Sequence, residues 1–257
     1  MPALWLIIEY LWAPLFVAFI LTVAAIGLHE YGGMAFAEDR AARAGLMLFG
    51  LLVAASAAPI ALAAGVVNMA GADWPEDIAF WRDAMTSRGY GRRVFAQNDA
   101  LGVLYVGFFI PHVALLRQQP DGWRWVLFTV YSAMGSDSGA YFAGRAYGRR
   151  KLMPAVSPSK TVEGAVGGLV GAAIIGVICW LVFFHQLPLG ETLGVAVAIG
   201  VLAELGDLCE SALKRGFGAK DSGWIIPGHG GILDRLDSLL FPFVFSYYYY
   251  AVATRAW

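Results

Sequence analysis

Long apolar runs separated by short polar stretches recur along the whole chain. Crossing the hydrocarbon core of a bilayer takes about 20 apolar residues in a helix. Seven runs approach that length: 4–28, 45–70, 101–117, 123–143, 162–186, 192–210 and 237–254. The pattern predicts an all-α integral membrane protein with about seven transmembrane helices, in a range of 6–8. The runs at 101–117 and 192–210 sit at the short limit. The first run has no basic residue ahead of it and exceeds the apolar core of about 7–15 residues expected of a cleavable signal, so it reads as a span that stays. Residues 71–100 carry too many charges to span and read as an extramembrane insert with a short amphipathic helix. Residues 1–257 are expected to form a single polytopic membrane domain, with the motif-bearing half at 101–257.

Composition sharpens this reading. Charged residues make up 14% of the chain, against about 25% in a soluble domain. Lipid is therefore the expected solvent. A net charge of −1 gives no argument for nucleic acid. Seven spans put the loops 71–100, 143–161 and 207–237 on one side, and these hold thirteen of the eighteen Lys and Arg residues. By the positive-inside rule that side faces the cytoplasm, with the protein in an inner or plasma membrane. Cys179 and Cys209 are not spaced as a zinc site and read as helix filler. Glycines 164, 167, 168, 171 and 176 recur at spacings of three and four, as close helix packing in lipid requires.

Charge and glycine concentrate in three places. In 204–215, ELGDLCESALKR, a helix puts Asp207, Ser211 and Lys214 on one face, flanked by Glu210. Asp207 ends an apolar run, where an uncompensated carboxylate is costly. A bound cation or a salt bridge to Lys214 or Arg215 would offset that cost. In 227–238, PGHGGILDRLDS, Asp234 and Asp237 share a helical face. The preceding Gly228, His229, Gly230 and Gly231 form a flexible approach whose amides could meet a phosphate. Lys220, Asp221 and Arg235 add charge nearby. In 135–164, Asp137, Tyr141 and Arg145 fall at i, i+4 and i+8, followed by Lys151, Ser157, Lys160 and Thr161. Ser157-Pro158 reads as the cap and first residue of the next helix. His29 and Glu30, at the end of the first run, read as interfacial anchors. Hard oxygen ligands in this number suit Mg²⁺ completed by substrate phosphates. The bases suit the spread charge of phosphoryl transfer.

The run D-L-C-E-S-A-L-K-R…D-S-G…P-G-H-G-G-I-L-D-R-L-D-S at 207–238 resembles the C-terminal motif of the phosphatidate cytidylyltransferases, or CDP-diacylglycerol synthases. S-D-S-G-A-Y-F-A-G-R-x-x-G at 136–148 and S-P-S-K-T-V-E-G at 157–164 do so too. The resemblance covers about 101–250, the first hundred residues matching only in being apolar. It implies an integral membrane enzyme that converts CTP and phosphatidate to CDP-diacylglycerol and pyrophosphate with Mg²⁺. The family's metal-binding aspartates map onto Asp207 and Asp234, with Asp237 close by. Its essential lysine and serine positions map onto Ser211, Lys214, Lys220 and Asp221. Arg215 would join the lysines in neutralising phosphate. The chain departs in the 71–100 insert and in one fewer N-terminal span. A second, monovalent cation and a homodimer are left open. Other readings are a CTP-dependent polyprenol kinase and an ion-coupled transporter. The D-G-x-x-A-R pattern of CDP-alcohol phosphotransferases is absent.

Overall fold

A computed structural model describes residues 13–36, 39–63, 102–223 and 230–253. The 71–100 insert, Gly228 and His229 lie outside the described residues. The main elements are helices α1 (Ala13–Ala35), α2 (Arg40–Ala63), α3 (His112–Arg117), α4 (Gly122–Tyr147), α5 (Val162–Val182), α6 (Leu189–Gly216) and α7 (Leu233–Ala253). A π-helical turn, Val103–Phe108, precedes α3. Among the described residues, Leu15–Ala35, Val162–Val182 and Leu189–Gly216 are long and apolar enough to cross a membrane. The architecture is that of a helical membrane protein.

Two features differ from the sequence reading. The run at 101–117 is not one continuous helix, because the chain turns through Phe109–Pro111 between the π-helical segment and α3. Residues 151–161 form a hairpin. Strand β1 (Lys151–Met153) pairs antiparallel with β2 (Ser157–Thr161), in the register Lys151 to Thr161 and Met153 to Ser157. The cap of α5 is therefore Thr161 and not Ser157. Its Oγ1 accepts from the amide of Gly164 at 3.1 Å, satisfying one of the helix's orphan donors. Glu163 closes the base of the hairpin by accepting from the amides of Arg149 at 3.0 Å and Arg150 at 3.1 Å.

Helix α5 separates its small and large residues. Gly164, Gly168, Ala172, Gly176 and Cys179 are buried, while Val166, Val170, Ile174, Ile178 and Leu181 face outward. Outward aliphatics are a liability in water and ordinary in lipid. The small stripe lets backbones touch. A Cβ on Gly139 of α4 would strike the carbonyl of Gly167, and one on Gly135 would lie 2.6 Å from Ile175 Cγ1. One on Gly176 would lie 2.6 Å from Ala196 Cβ of α6. The glycine spacing thus works as the sequence implies, by bringing α4 and α6 against α5.

The end of α4 remote from Asp137 and Arg145 is held by aromatic packing. Phe128 stacks on Phe184 with centroids 4.2 Å apart, and Trp125 meets Phe184 edge-on at 4.9 Å. Deeper in, Thr129 of α4 and Ser246 of α7 share a buried hydrogen bond of 2.8 Å, a polar tie between helices of the kind membranes favour. The Thr129–Ser246 bond ties α4 to α7, and α6 packs against both. All three carry the acidic residues of the site.

Candidate active site

A cavity of about 580 Å³ opens where α4, the hairpin, α5 and α6 meet. Asp137, Tyr141 and Arg145 line it from successive turns of α4, as their spacing of four requires. Lys160 and Thr161 line it from β2, and Glu204 and Asp207 from α6. Lys160 Nζ lies 2.8 Å from Asp207 Oδ2. This ion pair joins two motifs through residues 47 positions apart in sequence. On the other side of the carboxylate, Ser211 Oγ donates to Asp207 Oδ1 at 3.3 Å. Arg145 Nη1 donates to the Tyr141 hydroxyl at 3.0 Å. Both side chains are exposed, leaving the guanidinium free to turn toward an anion.

A second cluster lies one turn further along α6. Lys214 Nζ stands 2.6 Å from Glu210 Oε2 and 2.6 Å from Asp234 Oδ1. Glu210 is 1% exposed. Asp234, in the first turn of α7, is engaged on both oxygens. Its Oδ2 accepts from the Ser222 amide (2.9 Å), the Ser222 hydroxyl (2.9 Å) and the Gly231 amide (2.8 Å). Gly230 adopts φ +77° beside it, and a Cβ there would lie 2.5 Å from Asp234 Oδ2. Only glycine takes that conformation and leaves that space.

Asp237 lies between the clusters. Its charge is felt together with those of Asp207, Lys214 and Asp137, and its carbonyl packs on Gly206 of α6. One residue on, Ser238 Oγ donates to Asp137 Oδ2 at 3.2 Å, tying α7 to α4. Asp137, Asp207, Asp237, Asp234, Lys160 and Lys214 therefore gather from four elements. Other residues named from sequence stand apart. Lys151, Lys220, Asp221 and Arg235 are exposed. Arg215 donates to its own loop, to the Ala219 carbonyl at 3.3 Å. Ser157 stays on the hairpin, 3.5 Å from Ser159 Oγ.

The family model described as the cytidylyltransferase family matches residues 1–253. The chain belongs to the cytidylyltransferase family. That match takes in the first hundred residues, which the motif resemblance had left aside. Three curated proteins named phosphatidate cytidylyltransferase are similar to it. The one from Bacillus subtilis is 42% identical over 153 residues, covering 59% of this chain and 57% of that protein. Those from Staphylococcus saprophyticus and Staphylococcus haemolyticus are 42% and 41% identical over 141 residues, each covering 55% of this chain and 54% of the relative. The chain thus spans a little over half the length of the curated relatives it matches.

In this cytidylyltransferase-family chain four participants escaped the sequence reading. Glu204 lines the cavity with its Oε1 buried and unpartnered among the described residues. It stands three residues before Asp207, so the helical period alone could have found it. Ser222 lies in the D-S-G of the resembling motif, beside the residues that were named. Ser238 follows Asp237 directly. Glu30 was read as an interfacial anchor and is nothing of the kind. It is 4% exposed, and its carboxylate accepts from the amides of Ile232 (2.8 Å) and Leu233 (3.0 Å) and from Ser222 Oγ (3.3 Å).

Proposed function

We propose that the chain transfers CMP from CTP to phosphatidate, giving CDP-diacylglycerol and pyrophosphate. The carrying observation is the Lys160–Asp207 pair in the wall of the cavity. A base from one motif and an acid from another meet where two polyanions would have to be brought together. The printed names of the relatives supply the reaction. The lipid phosphate oxygen attacks the α-phosphorus, a new O–P bond forms, and the bond to the leaving pyrophosphate breaks. The nucleophile is already an anion, so no covalent enzyme intermediate is needed. Orientation and charge neutralisation carry the rate.

Among the described residues, Lys160, Arg145 and Lys214 are cations facing this site, and the first two border the cavity itself. Lys160 and Lys214 rest on carboxylates. On binding, phosphate oxygens take the place of those carboxylates. Tyr141 keeps Arg145 aimed along the α4 face. Lys220, from the exposed loop, and Arg215, from the end of α6, serve as an outer ring that meets nucleotide or lipid phosphate first.

Magnesium belongs to this proposal. Among the described residues, no cluster of three or more His, Cys, Asp or Glu side chains is arranged as a ligand set. Mg²⁺ is typically held by one or two carboxylates and otherwise by phosphates and water. Asp207 fits best, because it borders the cavity with Asp137 in electrostatic range. Asp234 reaches an ion only after Lys214 leaves its Oδ1. When bound, the ion would neutralise phosphate oxygens and the leaving group. We place the site at the cytoplasmic face of about seven spans, where CTP is available, on the strength of the base distribution.

The test is incubation of the purified chain with phosphatidate and CTP labelled at the α-phosphate, with and without Mg²⁺. Label passing into the lipid extract, with pyrophosphate released, is the expected result. Label passing to lipid only from the γ-position, with CDP released, would replace the reading with a lipid kinase.

A further inference from the structure

The start of α7 is capped by a residue some two hundred positions away. The first amides of a helix have no intrahelical partner and usually take a nearby Ser, Thr, Asp or Asn side chain. Ile232 offers no such group. Glu30 of α1 supplies it, accepting from the Ile232 amide at 2.8 Å and the Leu233 amide at 3.0 Å. An anion there also meets the positive end of the helix dipole.

The surrounding glycines are shaped to this carboxylate. A Cβ on Gly223 would lie 2.9 Å from Glu30 Oε1, and one on Gly231 would lie 2.5 Å from Glu30 Oε2. The acid is thus clasped between two glycines of the connection from α6 to α7. Ser222, 4% exposed, links it onward. Its hydroxyl lies 3.3 Å from Glu30 Oε2 and 2.9 Å from Asp234 Oδ2, and its amide donates to that same Asp234 oxygen. Asp234 Oδ1 in turn holds Lys214 at 2.6 Å. The amides of Gly231, Ile232 and Leu233 are each spent on a protein carboxylate.

We propose that Glu30 is a positioning residue for the cytidylyl transfer. It clamps the loop onto the start of α7 and so sets where Asp234 holds Lys214. It touches neither substrate. The inference rests on the reaction proposed above, and its test separates the two.

Glu30→Gln keeps the size but turns an amide N–H₂ toward donors. Gly223→Ala leaves the acid in place and crowds it from the loop side. Phe128→Leu, in the remote aromatic cluster, serves as a control that loosens packing without touching the loop. Each is purified in detergent, and kcat and KM for CTP are measured per folded enzyme. Hydrogen exchange is followed at the amides of 231–234.

A clamp predicts a kcat about 100-fold lower in Glu30→Gln, as displaced groups cost, with KM for CTP within about threefold. The 231–234 amides should exchange about tenfold faster. Gly223→Ala should move both readouts the same way and remain informative if Glu30→Gln fails to fold. Phe128→Leu should leave kcat and these amides unchanged. If wild type turns over while kcat and 231–234 exchange in both loop variants stay within threefold of it, the clamp is overturned and the reaction stands. Wild type that makes no CDP-lipid overturns the reaction itself, and with it this role.

Discussion

Lys214 is the residue whose removal should cost most, and for two separable reasons. Its ammonium lies 2.6 Å from carboxylate oxygens of both Glu210 and Asp234. The side chains are 13%, 2% and 13% exposed for Lys214, Glu210 and Asp234. Lys214→Met keeps the volume and leaves two secluded carboxylates facing each other without a cation. Stranding a buried charge in this way costs about 3–5 kcal/mol. In a chain of this size about 1 kcal/mol corresponds to about 2–4 °C, so the melting midpoint in detergent should fall by about 6–20 °C. Turnover should fall by about 100-fold or more, the usual loss for one group that stabilises transition-state charge. Adding Glu210→Gln removes one of the stranded acids. The double variant should regain much of the midpoint and none of the turnover, because only the repulsion between stranded acids has been relieved. The assay is thermal unfolding by intrinsic fluorescence, beside label transfer from CTP to lipid. A single variant melting within 2 °C of wild type would refute the buried-triad argument. A double variant that regained turnover would refute the catalytic one.

Three further outcomes follow from the same geometry. Asp207→Asn should lower turnover by about 100-fold and raise the Mg²⁺ concentration for half-maximal rate, as a magnesium titration of the labelled-lipid assay would show. Lys160→Met should differ from the Lys214 variant in stability, because the Lys160–Asp207 pair is 23% and 33% exposed. A pair so open is worth about 0–1 kcal/mol, so its midpoint should barely move while KM for CTP rises about tenfold on loss of a phosphate contact. Gly139→Val should press a side chain into the carbonyl of Gly167. Overpacking of this kind costs about 1–3 kcal/mol, read as a midpoint lower by about 2–12 °C.

What the sequence disclosed and what it hid divide along contact range. The facing of Asp207 and Ser211, and of Asp137, Tyr141 and Arg145, follows from the helical period, which is local. The glycine spacing of α5 is also local, and it announces a close neighbour without naming it. Family motifs brought in Lys160 and Asp207, but nothing along the chain said that they pair with each other. The reading offered Asp207 to Lys214 or Arg215, its neighbours on the same helix. The structure instead gives Lys214 to Glu210 and Asp234, and brings Lys160 from the hairpin to Asp207. The hairpin itself was hidden because its strands are only three and five residues long, too short for an alternating pattern to register.

Glu30 marks where local reasoning stops. A charged residue at the end of an apolar run is, taken by itself, well explained by the membrane interface. Its actual partners are 192 to 203 positions away. The one trace they leave in sequence is an excess of glycine around Ser222 and Ile232. Glycine in that stretch admits two explanations, an open cradle of amides for a phosphate or room for a carboxylate of the protein. Both need bare backbone near a helix start, so composition cannot choose between them. What chooses is burial. A carboxylate 4% exposed needs hydrogen-bond donors to offset the hydration it has lost. The amides of Ile232 and Leu233 are the donors that satisfy it. The apolar N-terminal region therefore contributes more than a lipid anchor, because the helix that carries Asp234 begins on an acid from the first.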